Sequence, residues 1–281
     1  MNQLPFADYR EYYASECKIC LGSSYVIENE IYRECVCQKK ARRKYRLEQI
    51  DIYPPELKYK SWTDFSGVIF QESKVVGNLK IESVINARDK AFEYCFGVSF
   101  DKNILQNKAK HLKIHKHLND GQNVIIVGDE KTGKSLLGAL ICKEVANAAF
   151  ITNKDFDYRW VKFYDIINAA RWVFDYSSGV HKPVNHSYLD MLADLDFLFI
   201  DGVDVQRGKN YPVDHVAMDS LFGARTLFQK PTIIICSKKI LQMLNNHAGQ
   251  EQIVTVFGNE FLQIFRKNNT LIIELTRDES T

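Results

Sequence analysis

Residues 128–135 read GDEKTGKS, and this stretch decides the fold. It fits the pattern G-x-x-x-x-G-K-[ST] and lies between a short apolar run, Asn123–Val127 (NVIIV), and an Ala/Leu-rich helical pattern, Leu136–Ala149. Strand, glycine-bearing loop and helix form the context in which this pattern holds phosphate. The chemistry needs Gly128 and Gly133 so that backbone N–H groups curl around the phosphates. Lys134 then reaches the β- and γ-oxygens and Ser135 holds Mg²⁺. Asp129, Glu130, Lys131 and Thr132 complete the loop, and the helix that starts there adds the positive end of its dipole. ATP with Mg²⁺ is therefore the expected ligand.

Outward from the loop, apolar runs alternate with helical patterns. Trp160–Phe163, Phe197–Ile200 and Thr232–Cys236 read as buried strands, with helices expected over Tyr164–Phe174 and Val216–Phe228. This alternation predicts an α/β fold, a parallel sheet covered by helices on both faces. Two helices precede it. One, capped by Asn78, carries Ile81, Val84, Ile85, Phe92 and Phe96 at helical spacing and stops at Gly97; the other is expected over roughly 103–118, ending before Asn119, Asp120 and Gly121. Residues 176–186 and 204–214 read as loops.

A phosphate loop needs an acid on a neighbouring strand to hold the metal through water. The run LDFLFID, residues 195–201, supplies one in Asp201. The following position, where an acid would polarise the attacking water, is Gly202, and the next acid is Asp204. Either Asp204 takes that role from a looser turn or hydrolysis is slow, which suits a switch better than a motor. Arg225, in SLFGARTLF, ends a helix and could reach the γ-phosphate of a neighbouring molecule; read by position alone it is a surface arginine in an ion pair. Ser237 closes its apolar run and would face the nucleotide if its strand lies beside that of Asp201; strand-end serines also serve as turn residues. Arg266 sits on a late helix, where it is either a phosphate contact in cis or a solvated charge.

Four of the seven cysteines fall in residues 1–65. Cys17 and Cys20 are separated by fourteen residues from Cys35 and Cys37, so four sulfurs lie within twenty-one positions, a count and clustering that suit tetrahedral Zn²⁺. Gly22 permits the tight turn after the first pair. A basic run, KKARRKYR, begins at Lys39 with six cations in eight positions. It is a phosphate-meeting patch or a solvated helix face. His111, His115 and His117 read as an exposed helix face without metal, and Cys95, Cys142 and Cys236 as core. The net charge of +2 over 281 residues argues for no particular partner. No apolar stretch reaches the roughly 18 residues that span a bilayer. The N-terminus MNQLPFADYR lacks a secretion-signal pattern, so a cytoplasmic protein is expected. The chain divides into a zinc-binding, partner-docking domain over 1–65 and an ATPase domain over 66–281.

Taken in order, the paired cysteines, the basic helix, YPPELKYKSWTDF at 53–65, the phosphate loop, the Asp201 strand, Arg225 and KPTIIICS at 230–237 resemble the bacterial and phage helicase loaders typified by DnaC and DnaI. The resemblance covers nearly the whole chain. It implies an AAA+ ATPase behind a zinc-binding or helicase-binding region. It further implies assembly into a homo-oligomeric spiral, contact with single-stranded DNA and delivery of a replicative helicase. By the same resemblance Lys134, Ser135 and Asp201 match the nucleotide residues, Arg225 the trans-acting arginine and Arg266 the second sensor. Ser237 stands where the family usually has Asn, and Gly202 where an acid is common; both point to reduced hydrolysis. Two other readings stay open. One is an IstB-like transposition helper that coats duplex DNA and recruits a transposase. The other is a small-molecule kinase, disfavoured because residues 175–195 offer only His181, Lys182 and His186 as substrate-binding cations.

Overall fold

The computed structural model describes residues 6–28, 30–49, 52, 55–65, 80–106, 112–152, 157–171, 173–175, 180–182, 185–205, 215–267 and 269–277. The chain begins with α1 (Phe6–Ser15), the hairpin β1 (Tyr25–Glu28) and β2 (Ile31–Glu34), and α2 (Val36–Gln49), followed by two 3₁₀ turns at Pro55–Tyr59 and Trp62–Phe65. Next come α3 (Ile81–Phe96), α4 (Lys102–Gln106), α5 (Ile114–Asp120), β3 (Val124–Gly128), α6 (Lys134–Thr152), β4 (Tyr158–Lys162) and α7 (Phe163–Ala169). The remainder is β5 (Val173–Asp175), β6 (Val180–Lys182), α8 (His186–Asp194), β7 (Phe197–Val203), α9 (His215–Leu227), β8 (Thr232–Ser237), α10 (Lys238–Leu244), α11 (His247–Phe257), α12 (Asn259–Arg266) and β9 (Leu271–Leu275).

Five strands form one sheet in the order β4-β7-β8-β3-β9, and every neighbouring pair is parallel. The expected α/β class is therefore the observed one. β3 shows why its sequence is apolar without interruption. Val124 and Ile126 enter the core on one face of the sheet, with α3 and α6, while Ile125 and Val127 enter the core on the other, with α7 to α12. A strand buried on both faces has no position for a polar side chain. Trp62 and Phe65, each at most 2% exposed, join the first of these cores, and the Trp62 indole N–H donates to the buried Glu144 on α6 at 3.0 Å. The cysteine-bearing segment keeps a small core of its own, Ala14 with the four cysteines and Val26.

Several expectations need correction. Among the described residues the helix expected over 103–118 is interrupted: one helix covers Lys102–Gln106, the backbone N–H of Lys113 donates to the Cys95 carbonyl at the end of α3, and a new helix starts at Ile114. Residues 107–111, His111 among them, lie outside the described residues. The expected helix 164–174 stops at Ala169, because Val173–Asp175 pairs antiparallel with Val180–Lys182, which places residues 180–182 of the expected loop 176–186 in a strand. His117 is buried rather than exposed, stacked on Tyr94 at 3.9 Å with its Nε2 2.7 Å from the Tyr94 carbonyl. Gly97 ends α3 in the left-handed region, where the helix was expected to stop, whereas α5 runs two residues past its expected end, through Asp120, before left-handed Gly121 closes it. The expected cap Asn78 lies outside the described residues, as do 66–79, where the two domains were expected to meet, and most of the expected loop 204–214. Among the described residues no helix is long and apolar enough to cross a membrane.

Candidate nucleotide site and cysteine centre

β3 delivers Gly128 to the C-terminal edge of the sheet, in register with Ser237 on β8 and Leu275 on β9. A side chain there would collide with two neighbours, since a Cβ on Gly128 would lie 2.5 Å from the Leu275 carbonyl oxygen and 2.9 Å from Thr132 Oγ1. Gly133 turns the chain into α6 at φ +90°, and Lys131 adopts φ +60°, a left-handed conformation that a non-glycine residue holds only against strain. The buried Thr132 hydroxyl donates to the Asp129 carbonyl at 2.9 Å, fixing the loop from inside. The Lys134 ammonium donates to the same carbonyl. Desolvation lowers the Lys134 pKa, while the charges of Cys236, Asp129, Asp201 and Glu130 oppose that shift. The ammonium is thus held close to the loop, where an incoming polyphosphate would replace the carbonyl as its partner.

Asp201 lies on β7, one strand beyond β8. Its Oδ1 accepts the Ser135 hydroxyl at 3.2 Å. Burial raises the Asp201 carboxyl above its usual range, opposed by the Ser135 hydroxyl, the Gly202 N–H, Lys134 and Lys162. A serine hydroxyl and a carboxylate converging on one point are the oxygen donors that Mg²⁺ takes alongside phosphates and water. The structure explains Gly202. The pairing of β7 with β8 is irregular between Asp201 and Val203, and Gly202 sits there at φ +76°, where an acidic residue would be strained. Asp204 follows the end of β7, half-buried. Ser237 occupies the end of β8 beside Gly128, and its buried hydroxyl has no hydrogen-bond partner among the described residues. That leaves it a free bond for a ligand or water.

Arg225 requires the main correction. It is 1% exposed, and its guanidinium is spent inside its own chain. It donates to Thr232 Oγ1 at 2.9 Å and to the carbonyls of Leu192 at 2.9 Å, Leu195 at 2.8 Å and Pro231 at 2.6 Å. Burial lowers its pKa, with Asp196 the opposing charge. Thus Arg225 ties the end of α8 to the start of β8 and is not presented to a neighbouring molecule. Arg225→Lys is expected to lower stability by about 2 kcal/mol, seen as a lower urea midpoint, because an ammonium offers three donors where the guanidinium offers five. Unchanged stability with lost ATP turnover would restore the trans role. Arg266 ends α12 and donates to Gln250 on α11. A residue that the sequence reading missed, Arg277 beyond β9, donates to the Glu130 carbonyl of the phosphate loop at 2.5 Å. No pattern marks it, since it follows the last apolar run.

No protein-family model matches the chain. No curated protein matches it either. Solved structures do. A DnaI structure is similar at 14% identity and a TM-score of 0.44, over 68% of this chain and 86% of that one. An AMPPCP-bound DnaA from Aquifex aeolicus matches at 16% identity and a TM-score of 0.39, over 63% of this chain and 47% of that one, so the match spans about half of that DnaA. A DnaC helicase loader matches at 17% identity and a TM-score of 0.34, over 62% of this chain and 93% of that one.

The second site is the cysteine centre. The sulfurs of Cys17, Cys20, Cys35 and Cys37 all lie within 4.8 Å of one another. Cys17 and Cys35 are 3.6 Å apart and Cys20 and Cys37 are 3.5 Å apart. Tetrahedral zinc with Zn–S near 2.3 Å sets its sulfurs about 3.8 Å apart, so the donor set fits. Leu21 at φ +49° and Gly22 at φ +91° make the tight turn that folds the first pair back, and the N–H of Leu21 donates to the Cys17 carbonyl at 3.0 Å. The backbone N–H groups of Cys20 and then Ile19 hold the Cys17 thiol down to about 6, whereas burial pushes Cys37 up to about 12. Val26 packs against the sulfurs from β1. The opposite face of the hairpin is open: Ile27 and Tyr32 pair across the strands at 64% and 75% exposure. The basic run lies on α2, where Lys44 pairs with Glu48 at 3.0 Å and sits over the Tyr59 ring.

Proposed function

We propose that the chain is an AAA+ ATPase that loads a replicative helicase onto single-stranded DNA, with ATP binding as the switch for assembly and release. The observation that carries the nucleotide part is the Ser135–Asp201 hydrogen bond at 3.2 Å beside the phosphate loop. It brings a candidate metal-binding pair, sixty-six residues apart, to one point at the strand ends. In this reading Gly128–Ser135 cradles the phosphates and Ser135 and Asp201 hold Mg²⁺. Ser237 orients water, and Asp204 is the first acid after the glycine at 202. A glycine held by a bulge supports slow hydrolysis and thus a switch. Arg266 serves as a contact in cis, and the chain acts as a homo-oligomer.

The helicase and DNA parts rest on the order of motifs along the chain and on the N-terminal segment. The four cysteines hold Zn²⁺, and the hairpin they brace offers exposed Ile27 and Tyr32 next to a basic helix. An apolar face rimmed by charge is suited to docking a protein. Residues 1–65 are the docking domain and 66–281 the ATPase domain, the first anchored in the core of the second through Trp62 and Phe65. The test is binding of the purified chain to a purified replicative helicase and to labelled single-stranded DNA, with and without ATP. Helicase capture through residues 1–65, with DNA binding that depends on ATP, is expected. Indifference to the helicase, together with ATP-dependent coverage of duplex DNA, would replace this reading with the transposition helper.

A further inference from the structure

The end of β9 lies against the phosphate loop. The Leu275 carbonyl makes the close approach that leaves no room for a Cβ on Gly128. Beyond it the chain is fastened on the far side to the first turn of α3. The Lys80 N–H donates to the Thr276 carbonyl at 3.2 Å, the Thr276 N–H donates to Ser83 Oγ at 2.9 Å, and Ser83 Oγ donates to the Glu274 carbonyl at 3.1 Å. These three bonds direct the next residue, Arg277, over the loop, where its guanidinium donates to the Glu130 carbonyl.

Glu130 stands at the crest, immediately before the left-handed Lys131 and the buried Thr132. An amide plane is rigid, so holding the Glu130 carbonyl sets the direction of the Lys131 N–H on the opposite side of the same peptide. In a loop that grips phosphate with backbone N–H groups, that direction matters to affinity. Lys131 is also the strained point of the loop, the place most ready to rearrange when nothing restrains it.

We infer that Arg277 is a positioning residue for nucleotide binding: from the end of the sheet it clasps the Glu130 carbonyl and holds the phosphate-binding amides in their gripping arrangement. This rests on the reading of Gly128–Ser135 as an ATP site. Acting through the loop backbone, the clasp strengthens di- and triphosphates alike, whereas a cation touching the γ-phosphate would favour ATP alone.

The experiment measures affinities of the full chain for fluorescent ATP and ADP analogues, with thermal unfolding midpoints, for the native protein, Arg277→Ala and Arg277→Lys. Arg277→Ala is expected to weaken both nucleotides by the same factor, about tenfold, with an unchanged midpoint; Arg277→Lys, which keeps a donor and a charge, is expected to recover most of the loss. Affinities within twofold of native in Arg277→Ala would overturn the clasp and leave the ATP site standing. Loss confined to ATP would overturn it in favour of direct phosphate contact, and a lowered midpoint without rescue by lysine would reduce Arg277 to a structural tie. A native chain that binds neither nucleotide would remove the ATP reading and the clasp with it.

Discussion

Lys134→Ala is expected to remove nucleotide binding, weakening a labelled ATP analogue by more than about a hundredfold, or about 2.8 kcal/mol. The expectation follows from how the lysine is held. Its ammonium is partly desolvated, and the Asp129 carbonyl is its partner among the loop's backbone groups. A polyphosphate offers that ammonium a charge-assisted bond in place of a neutral one, and charged partners form the stronger bonds. Alanine removes that gain and leaves the loop its backbone N–H groups alone. The fold should survive, because Thr132 still secures the loop from inside and α6 is buried along both Leu137 and Leu140. Isothermal titration beside a thermal midpoint checks both halves. An unchanged affinity for ATP would sink the site.

Stripping zinc is expected to have the larger structural effect. The core around the cysteines contains Ala14, Cys20, Cys35 and Cys37 as its buried members, with Tyr13, Cys17 and Val26 against it. So small a core is well below what holds a segment folded without a staple. Metal bound through four thiolates contributes on the order of 10 kcal/mol to folding in small zinc modules. A strong chelator, or Cys37→Ser, is therefore expected to unfold residues 6–49, seen as rapid amide exchange and new protease sites in the basic helix. The sheet should persist, since its two cores do not draw on the cysteines of this segment. Acid should act in the same direction, because protons compete with the metal for thiolate sulfur. Metal analysis finding no zinc in a folded, protease-resistant N-terminal segment would overturn the assignment.

The sequence carries these features to different degrees. The phosphate loop is contiguous, and its glycines and lysine owe their roles to local backbone geometry, so eight letters suffice to locate it. The strand before it is legible for a related reason: burial on both faces removes every polar position, and VIIV at 124–127 shows it. The paired cysteines are legible because short spacings restrict where sulfurs can point. Other features were misread where a local pattern met a distant partner. The helix expected through residues 103–118 breaks because Lys113 finds the Cys95 carbonyl, and the helix expected through 164–174 ends because residues 173–175 find 180–182. The strand Leu271–Leu275 has an apolar run that could have been recognised, but its place beside β3 depends on a pairing about 147 residues away in sequence.

Arg225 and Arg277 mark the same divide. Both are arginines near the end of an element, and by sequence the first looked like a ligand contact while the second drew no notice. The tertiary structure reverses them: one is buried among five acceptors of its own chain, and the other reaches the phosphate loop. Sequence alone determined the α/β class and picked out the candidate phosphate loop, the acid Asp201 on its strand and the four clustered cysteines, because each depends on neighbours a few residues apart. Only the tertiary structure decided the strand order, the meeting of Ser135 with Asp201, the bulge that places Gly202, and which arginine faces inward. A long side chain takes the partner that packing brings to it, and packing is a property of the whole chain.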